Sequence, residues 1–294
     1  MGKVYIALSA IALGIIGLGF ASRWSQVGLL NSIDAILSVG SATDQLGQGV
    51  AYGPLARQKL DIWAPKARSD QPRDVVVFFY GGSWNSGERG FYGFAGRALA
   101  ERGYVVVIPD YRLVPDVRFP GFVEDGAAAV AWVRANIQKY GGNPARIHLT
   151  GHSAGAHIAS LLTLDHRWLD AAGAPRDTVK SFAGLAGPYD FLPFTSDASK
   201  AAFGHLPDPR PSQPITYAQA NAAPMLLLTG TADTTVKPRN SRALAAAQSR
   251  NGAKAATLYY DELSHSGIVM AFARPYRGLA PVIDDLDAFF DGVR

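Results

Sequence analysis

The chain contains no cysteine. That excludes disulfides, a thiol nucleophile, a lipid-modified cysteine anchor and thiolate metal sites, and it leaves the redox compartment open. None of the six histidines forms a His-x-x-x-His pair backed by carboxylates, so neither a metal nor another cofactor is expected. The first continuously apolar strand is not followed by Gly-x-Gly-x-x-Gly, which excludes an ordinary dinucleotide-binding domain. Basic residues are not clustered: Arg23, Arg57, Arg68, Arg73, Arg89 and Arg97 are scattered and the net charge is only +4, so no nucleic-acid partner is indicated. Global disorder is excluded as well, because 48% of the residues are hydrophobic and only 18% charged. The 294 residues suit one large α/β domain.

Charge is missing most conspicuously near the start. Residues 4–20 carry none, with Lys3 before them and Arg23-Trp24 after. Such a run is short for a membrane span and long for a signal-peptide core. Residues 1–24 are therefore expected to export or anchor the chain: either Gly19-Phe20-Ala21 is a cleavage site or Arg23-Trp24 is an interfacial flank. Residues 25–50 read as a linker or amphipathic segment, in which Val27, Leu30, Ile33 and Leu37 share one helical stripe and Asn31, Ser32 and Asp34 fall off it.

From residue 51 to 294, strand and helix patterns alternate. Leu60–Trp63 reads as an edge strand ended by Pro65. Val75–Tyr80, Tyr104–Ile108, Ile147–Thr150, Phe182–Gly187, Met225–Thr229 and Thr257–Tyr260 read as core strands. Helical patterns lie between most of them, including Phe122–Tyr140 with Val123, Ala127, Val130, Val133 and Ile137 on one face. This predicts a mostly parallel sheet with helices on both faces. The stretch near 190–223 holds Pro207, Pro209, Pro211 and Pro214 and is read as a lid-like insertion.

The chemistry centres on Gly151-His152-Ser153-Ala154-Gly155 between a strand and a helix. A strand that reverses into a helix this sharply pushes the serine hydroxyl out over the sheet edge, and a Cβ at either glycine would strike the neighbouring chain. A serine hydroxyl needs a base, usually a histidine oriented by a carboxylate, in the chain order Ser, acid, His. His265, in a loop after the last strand, is the favoured base over His205; His152 and His157 read as packing. Asp233, just after the preceding strand, is favoured as the acid over Asp190. The anion formed on attack needs fixed N–H donors, which Ala154 and the Gly81-Gly82-Ser83 loop are placed to supply.

Phe79-Tyr80-Gly81-Gly82-Ser83-Trp84, Asp110-Tyr111-Arg112-Leu113, Gly151–His157 and Gly230-Thr231-Ala232-Asp233 resemble the α/β-hydrolase superfamily. Within it the chain is similar to carboxylesterases of the hormone-sensitive-lipase and isoprenylcysteine-methylesterase or kynurenine-formamidase type. The resemblance implies a Ser153–Asp233–His265 triad, with an oxyanion hole from Gly82, Ser83 and Ala154. One position departs: the family's His-Gly-Gly opens with a histidine that braces the loop, and here Tyr80 stands there. The expected activity is that of a serine carboxylesterase on a small-molecule ester, short-chain or aromatic, with Trp84, Tyr92, Tyr189 and Phe191 as pocket-wall candidates. The alternatives are an arylformamidase or amidase-type hydrolase with the same triad, and a non-catalytic membrane-anchored binding protein.

Overall fold

The computed structural model describes residues 23–293. The uncharged run 4–20, expected to export or anchor the chain, lies outside the described residues. No described helix is long and apolar enough to cross a membrane.

The first helix, α1 (Arg23–Leu37), precedes β1 (Thr43–Ala51) and β2 (Lys59–Pro65). Then come β3 (Arg73–Phe79), α2 (Gly93–Glu101), β4 (Val105–Pro109), α3 (Gly121–Asn136), β5 (Gly142–His152) and α4 (Ala154–Leu164). The second half runs α5 (Arg167–Ala171), β6 (Val179–Leu185), α6 (Asp197–Phe203), β7 (Met225–Gly230), α7 (Arg239–Arg250), β8 (Ala255–Tyr260), α8 (Gly267–Met270) and α9 (Val282–Asp291). Eight strands form one sheet in the order β1-β2-β4-β3-β5-β6-β7-β8. β1 and β2 join antiparallel and the rest are parallel. This is the α/β-hydrolase arrangement.

The apolar runs behave as strands buried on both faces should: Val75–Phe79 and Val105–Ile108 have no measurable exposure. All five residues of the expected α3 stripe, Val123, Ala127, Val130, Val133 and Ile137, are buried, although the helix gives way to a 3-10 turn at Ile137–Tyr140. Two boundaries differ from the sequence reading. β2 is not the edge; β1 is, pairing Thr43 with Pro65 and Ala51 with Lys59, so the last eight residues of what read as linker, 43–50, belong to the sheet. β1 escaped because its pattern of burial follows bulges at Gln45/Gly47 and Gly47/Val50 rather than strict alternation.

The expected stripe of α1 is also corrected. Leu30 packs inward, but Leu37 is exposed and Asp34 is completely buried. The proline-rich stretch near 190–223 holds α6 and two 3-10 turns, Arg210–Ser212 and Pro214–Tyr217.

Parallel register brings the site together. Phe79 pairs with Gly151, so the loop after β3 lies beside the loop after β5. β7 and β8 end side by side at Gly230 and Tyr260, which sets the loops carrying Asp233 and His265 against each other. All four loops leave the carboxyl ends of parallel strands, the usual location of a site in such sheets.

Candidate active site

Ser153 sits between β5 and α4 with φ 53° and ψ −121°, in the left-handed half of backbone space where non-glycine residues are rare. The glycines around it are required by contact. A Cβ on Gly155 would lie 2.0 Å from the Phe79 carbonyl oxygen, and one on Gly151 would lie 2.6 Å from the Gly155 carbonyl carbon. Both contacts are to backbone, which has no room to yield.

The Ser153 hydroxyl lies 2.9 Å from Nε2 of His265. Nδ1 of His265 is 2.7 Å from Oδ2 of Asp233, which is buried. The other carboxylate oxygen, Oδ1, accepts the backbone N–H groups of Thr235 at 2.9 Å and Val236 at 2.8 Å. Asp233 is therefore held by its own turn and can present only one oxygen to the imidazole. The two loops are pressed together: a Cβ on Gly230 would lie 1.9 Å from the Leu263 carbonyl oxygen, and Glu262 N–H donates to the Thr231 hydroxyl at 2.9 Å. Of the rival positions, Asp190 bonds through its backbone N–H to Asn240, and His205 lies at the Phe119 carbonyl at 2.9 Å. The structure brings neither of them into this chain of contacts.

Facing Ser153 is the loop after β3. A Cβ on Gly81 would meet His152 Nδ1 at 2.8 Å and Ser153 Cβ at 3.1 Å, so only glycine allows this approach. Gly82, Ser83 and Trp84 follow with φ of 142°, 52° and 59°. Among the described residues no carbonyl accepts the N–H of Gly82 or Ser83. Ala154 is the first residue of α4, where N–H groups have no partner within the helix. The geometry suits capture of a developing oxyanion by a helix start and a strained loop.

The tyrosine that replaces the family's histidine has a full set of partners. The Tyr80 hydroxyl donates to Asp110 Oδ1 at 2.8 Å and accepts from Arg57 Nη2 at 2.9 Å. Arg57 continues to the Gly87 carbonyl at 2.7 Å and the Tyr111 carbonyl at 2.9 Å. Arg89 closes the cluster, pairing with Asp110 and with Asp61 at 2.8 Å. The Tyr80 ring is stacked between Tyr92 at 5.3 Å and Tyr111 at 4.8 Å. Burial first, and Asp110 second, hold its phenol well above the usual range, so it stays a neutral donor. Tyr80 braces the Gly81–Ser83 loop with hydrogen bonds and stacking.

Two buried histidines do more than pack. His152 Nε2–H donates to the His265 carbonyl at 2.9 Å, tying the turn that carries Ser153 to the loop that carries His265. Burial, assisted by the neighbouring His265, pushes it down to about 3, so it stays neutral and its Nδ1 accepts from no described group. His157 accepts from the Trp84 indole at 3.3 Å and donates to the Ser212 carbonyl at 2.8 Å, joining the oxyanion loop to the 190–223 stretch. Burial lowers it to about 4.

The chain is similar to known proteins in sequence and in fold. The profile of the BD-FAE family matches residues 60–247. The chain belongs to the BD-FAE family. It is 32% identical over 258 residues to the Probable isoprenylcysteine alpha-carbonyl methylesterase of Oryza sativa subsp. japonica, covering 80% of this chain and 60% of that one. It is 33% identical to Esterase LipQ of Mycobacterium tuberculosis (strain ATCC 25618 / H37Rv), over 80% of this chain and 60% of that one. The chain thus spans less than two thirds of these relatives' length. Among solved structures, esterase B from Lactobacillus Rhamnosis superposes with a TM-score of 0.73 at 21% identity, over 92% of this chain and 94% of that one. That likeness shows the fold.

The matched BD-FAE span includes Ser153 and Asp233 and stops short of His265. It also includes the four residues named as pocket wall, of which Trp84, Tyr92 and Tyr189 are buried and Phe191 is half-buried; Tyr92 stacks on Tyr80 and Tyr189 lies against Gly184 and Gly187. Trp84 and half-buried Phe191 stack at 5.9 Å, and Phe203 meets Trp84 edge-on at 4.8 Å. Sequence reading missed the parts played by Arg57, Arg89, Asp110 and the two buried histidines. Asp110 lay in the Asp110-Tyr111-Arg112-Leu113 string and the two histidines in Gly151–His157; Arg57 and Arg89 had no signal.

Proposed function

We propose that this member of the BD-FAE family is a serine carboxylesterase acting on short-chain or aromatic carboxylic esters through an acyl-enzyme on Ser153. The observation that carries the reading is the unbroken run from Ser153 Oγ to His265 to an Asp233 carboxylate whose other oxygen is occupied by two backbone amides. Ser153 Oγ attacks the ester carbonyl while His265 Nε2 takes its proton. The carbonyl oxygen becomes an anion facing the N–H groups of Gly82, Ser83 and Ala154. His265 then returns the proton to the departing alcohol, leaving an acyl group on Ser153. A water that gives a proton to His265 attacks the acyl carbonyl, and the proton passes back to Ser153 Oγ as the acid leaves. Asp233 fixes the tautomer and stabilises the imidazolium formed in each half. No atom outside this set is needed for the proton balance.

The preference for small or flat esters is supported by half-buried Phe191, which stacks on Trp84 of the loop after β3. The named esterases among the relatives support ester chemistry. The test is hydrolysis of p-nitrophenyl esters of increasing chain length by the full chain in mild detergent, beside Ser153→Ala. The expected result is turnover that falls with chain length and drops by several orders of magnitude in the variant. Equal turnover in both proteins, or none in either, would overturn the reading.

A further inference from the structure

α1 is built inside out. Asn31 and Asp34 face the body, while Gln26 and Ser32 stay exposed. Asp34 is completely buried, accepting from Arg97 Nε at 2.8 Å and from the Arg274 N–H at 2.7 Å. Asn31 accepts from Arg97 Nη2 at 2.7 Å and donates to the Gly90 carbonyl at 2.8 Å. Ser38, just past the helix, accepts from Arg274 Nε at 2.8 Å. These bonds fix which face looks inward, because a buried Asp34 turned away from Arg97 would be an unpaired charge.

The opposite face is open and largely apolar, with Gln26 and Ser32 its exposed polar side chains. Leu29, Ile33, Ile36 and Leu37 follow the spacing of one helical stripe. Leu29 is 40% exposed, Ile36 71%, Leu37 54%, and Val39 in the following turn 85%. Charge does not relieve this face. Between Trp24 and Ala42 the only charged side chain is Asp34, which points inward. The segment Arg274–Leu279, which holds α1 through Arg274, carries exposed Tyr276 and Leu279. A water-facing helix normally places its charges outward and its large apolar residues inward; here the one charge between Trp24 and Leu37 is buried and Leu29, Ile36 and Leu37 are exposed.

We infer that the outer face of α1 seats the catalytic body on a phospholipid bilayer. The occupant is indicated by the chain that runs into the helix: residues 4–20 carry no charge, and Arg23 and Asp34 are the only charges from Val4 to Ala42. Fifteen residues make a helix of about 22 Å, short of the roughly 30 Å hydrocarbon core, and its inner face is bonded to the body. It therefore lies along the interface, with the apolar side chains among the acyl chains near the headgroups. The seat adjoins the site, since Asn31 holds the carbonyl of Gly90, next to the Arg89 that pairs with Asp110.

The absence of cysteine gives a direct test. Single variants I36C and V39C of the full chain, and R250C at the end of α7 as control, each accept one environment-sensitive fluorophore. The proteins are reconstituted into phosphatidylcholine vesicles with brominated acyl chains, which quench only dyes at acyl-chain depth. The expected result is a blue shift and loss of most emission for the I36C and V39C labels and none for R250C. Quenching at I36C and V39C no greater than at R250C overturns the inference. So does a blue shift without quenching that grows with protein concentration, which would assign the face to a second copy of the chain. The readout is independent of ester turnover, so its failure leaves the proposed function standing, and the reverse also holds.

Discussion

Asp233→Asn is isosteric and leaves every heavy atom in place, yet it should nearly abolish turnover. The reason lies in the turn. Two backbone N–H groups, of Thr235 and Val236, point at Oδ1. In the variant the amide oxygen must take them, since turning the NH2 group inward would forfeit two hydrogen bonds worth about 1–1.5 kcal/mol each. The NH2 group then faces His265 Nδ1 and donates to it. His265 is left with its proton on Nε2, facing Ser153 Oγ, where it cannot act as a base. Restoring the productive tautomer costs about 2–3 kcal/mol from those bonds, and loss of the carboxylate charge beside the imidazolium supplies the remainder. The expected total is about four orders of magnitude in kcat, or about 5.4 kcal/mol. The assay is steady-state hydrolysis of p-nitrophenyl acetate by the full chain, with thermal unfolding as the control for an intact fold. A folded Asp233→Asn protein that keeps more than about a hundredth of the wild-type kcat would refute the argument.

Gly81→Ala should lower kcat by about a hundredfold or more with little change in KM, because its Cβ would force the oxyanion loop off His152 and Ser153; a kcat within a few-fold of wild type would show that the loop tolerates the shift. Tyr80→Phe keeps both stacking contacts but leaves Asp110 to Arg89 and Arg57 to two carbonyls, so urea unfolding should register a loss of about 1–3 kcal/mol. His152 and His157 have folded-state values near 3 and 4, below the ordinary histidine value of 6.5, so the unfolded chain binds protons that the folded one excludes. Their contribution is fully present above about pH 6.5 and is lost as the pH falls toward those values, at up to about 1.4 kcal/mol per pH unit for each group. Stability measured from about pH 7 to about pH 5 should therefore decline, and His157→Gln should flatten the slope by close to one proton.

The serine and its flanking glycines were legible because local geometry forces them. A strand-to-helix reversal at Ser153 admits only glycine at 151 and 155, and that demand is written in five consecutive letters. The core strands were legible for a similar reason: burial on both faces requires uninterrupted apolar runs, and Val75–Phe79 supplies one. Asp233 and His265 were legible from their places after successive strands.

What tertiary structure alone decided are the contacts between segments far apart in the chain. Tyr92 and Tyr189 have the composition of a pocket wall and lie in the core, because ring chemistry does not encode which loop will cover it. His152 and His157 looked like packing, but each bridges two loops through carbonyls 113 and 55 residues away. Tyr80 serves where a histidine was expected because Arg57 and Asp110, 23 and 30 residues from it, converge on its hydroxyl. α1 shows the limit most clearly. Its apolar stripe pointed Leu37 inward, but the pairing of Asp34 with Arg97 outweighs the stripe and turns Leu37 out. Periodicity records which residues share a face. Which face is buried depends on the partner, and here the partner is an arginine 63 residues further along the chain.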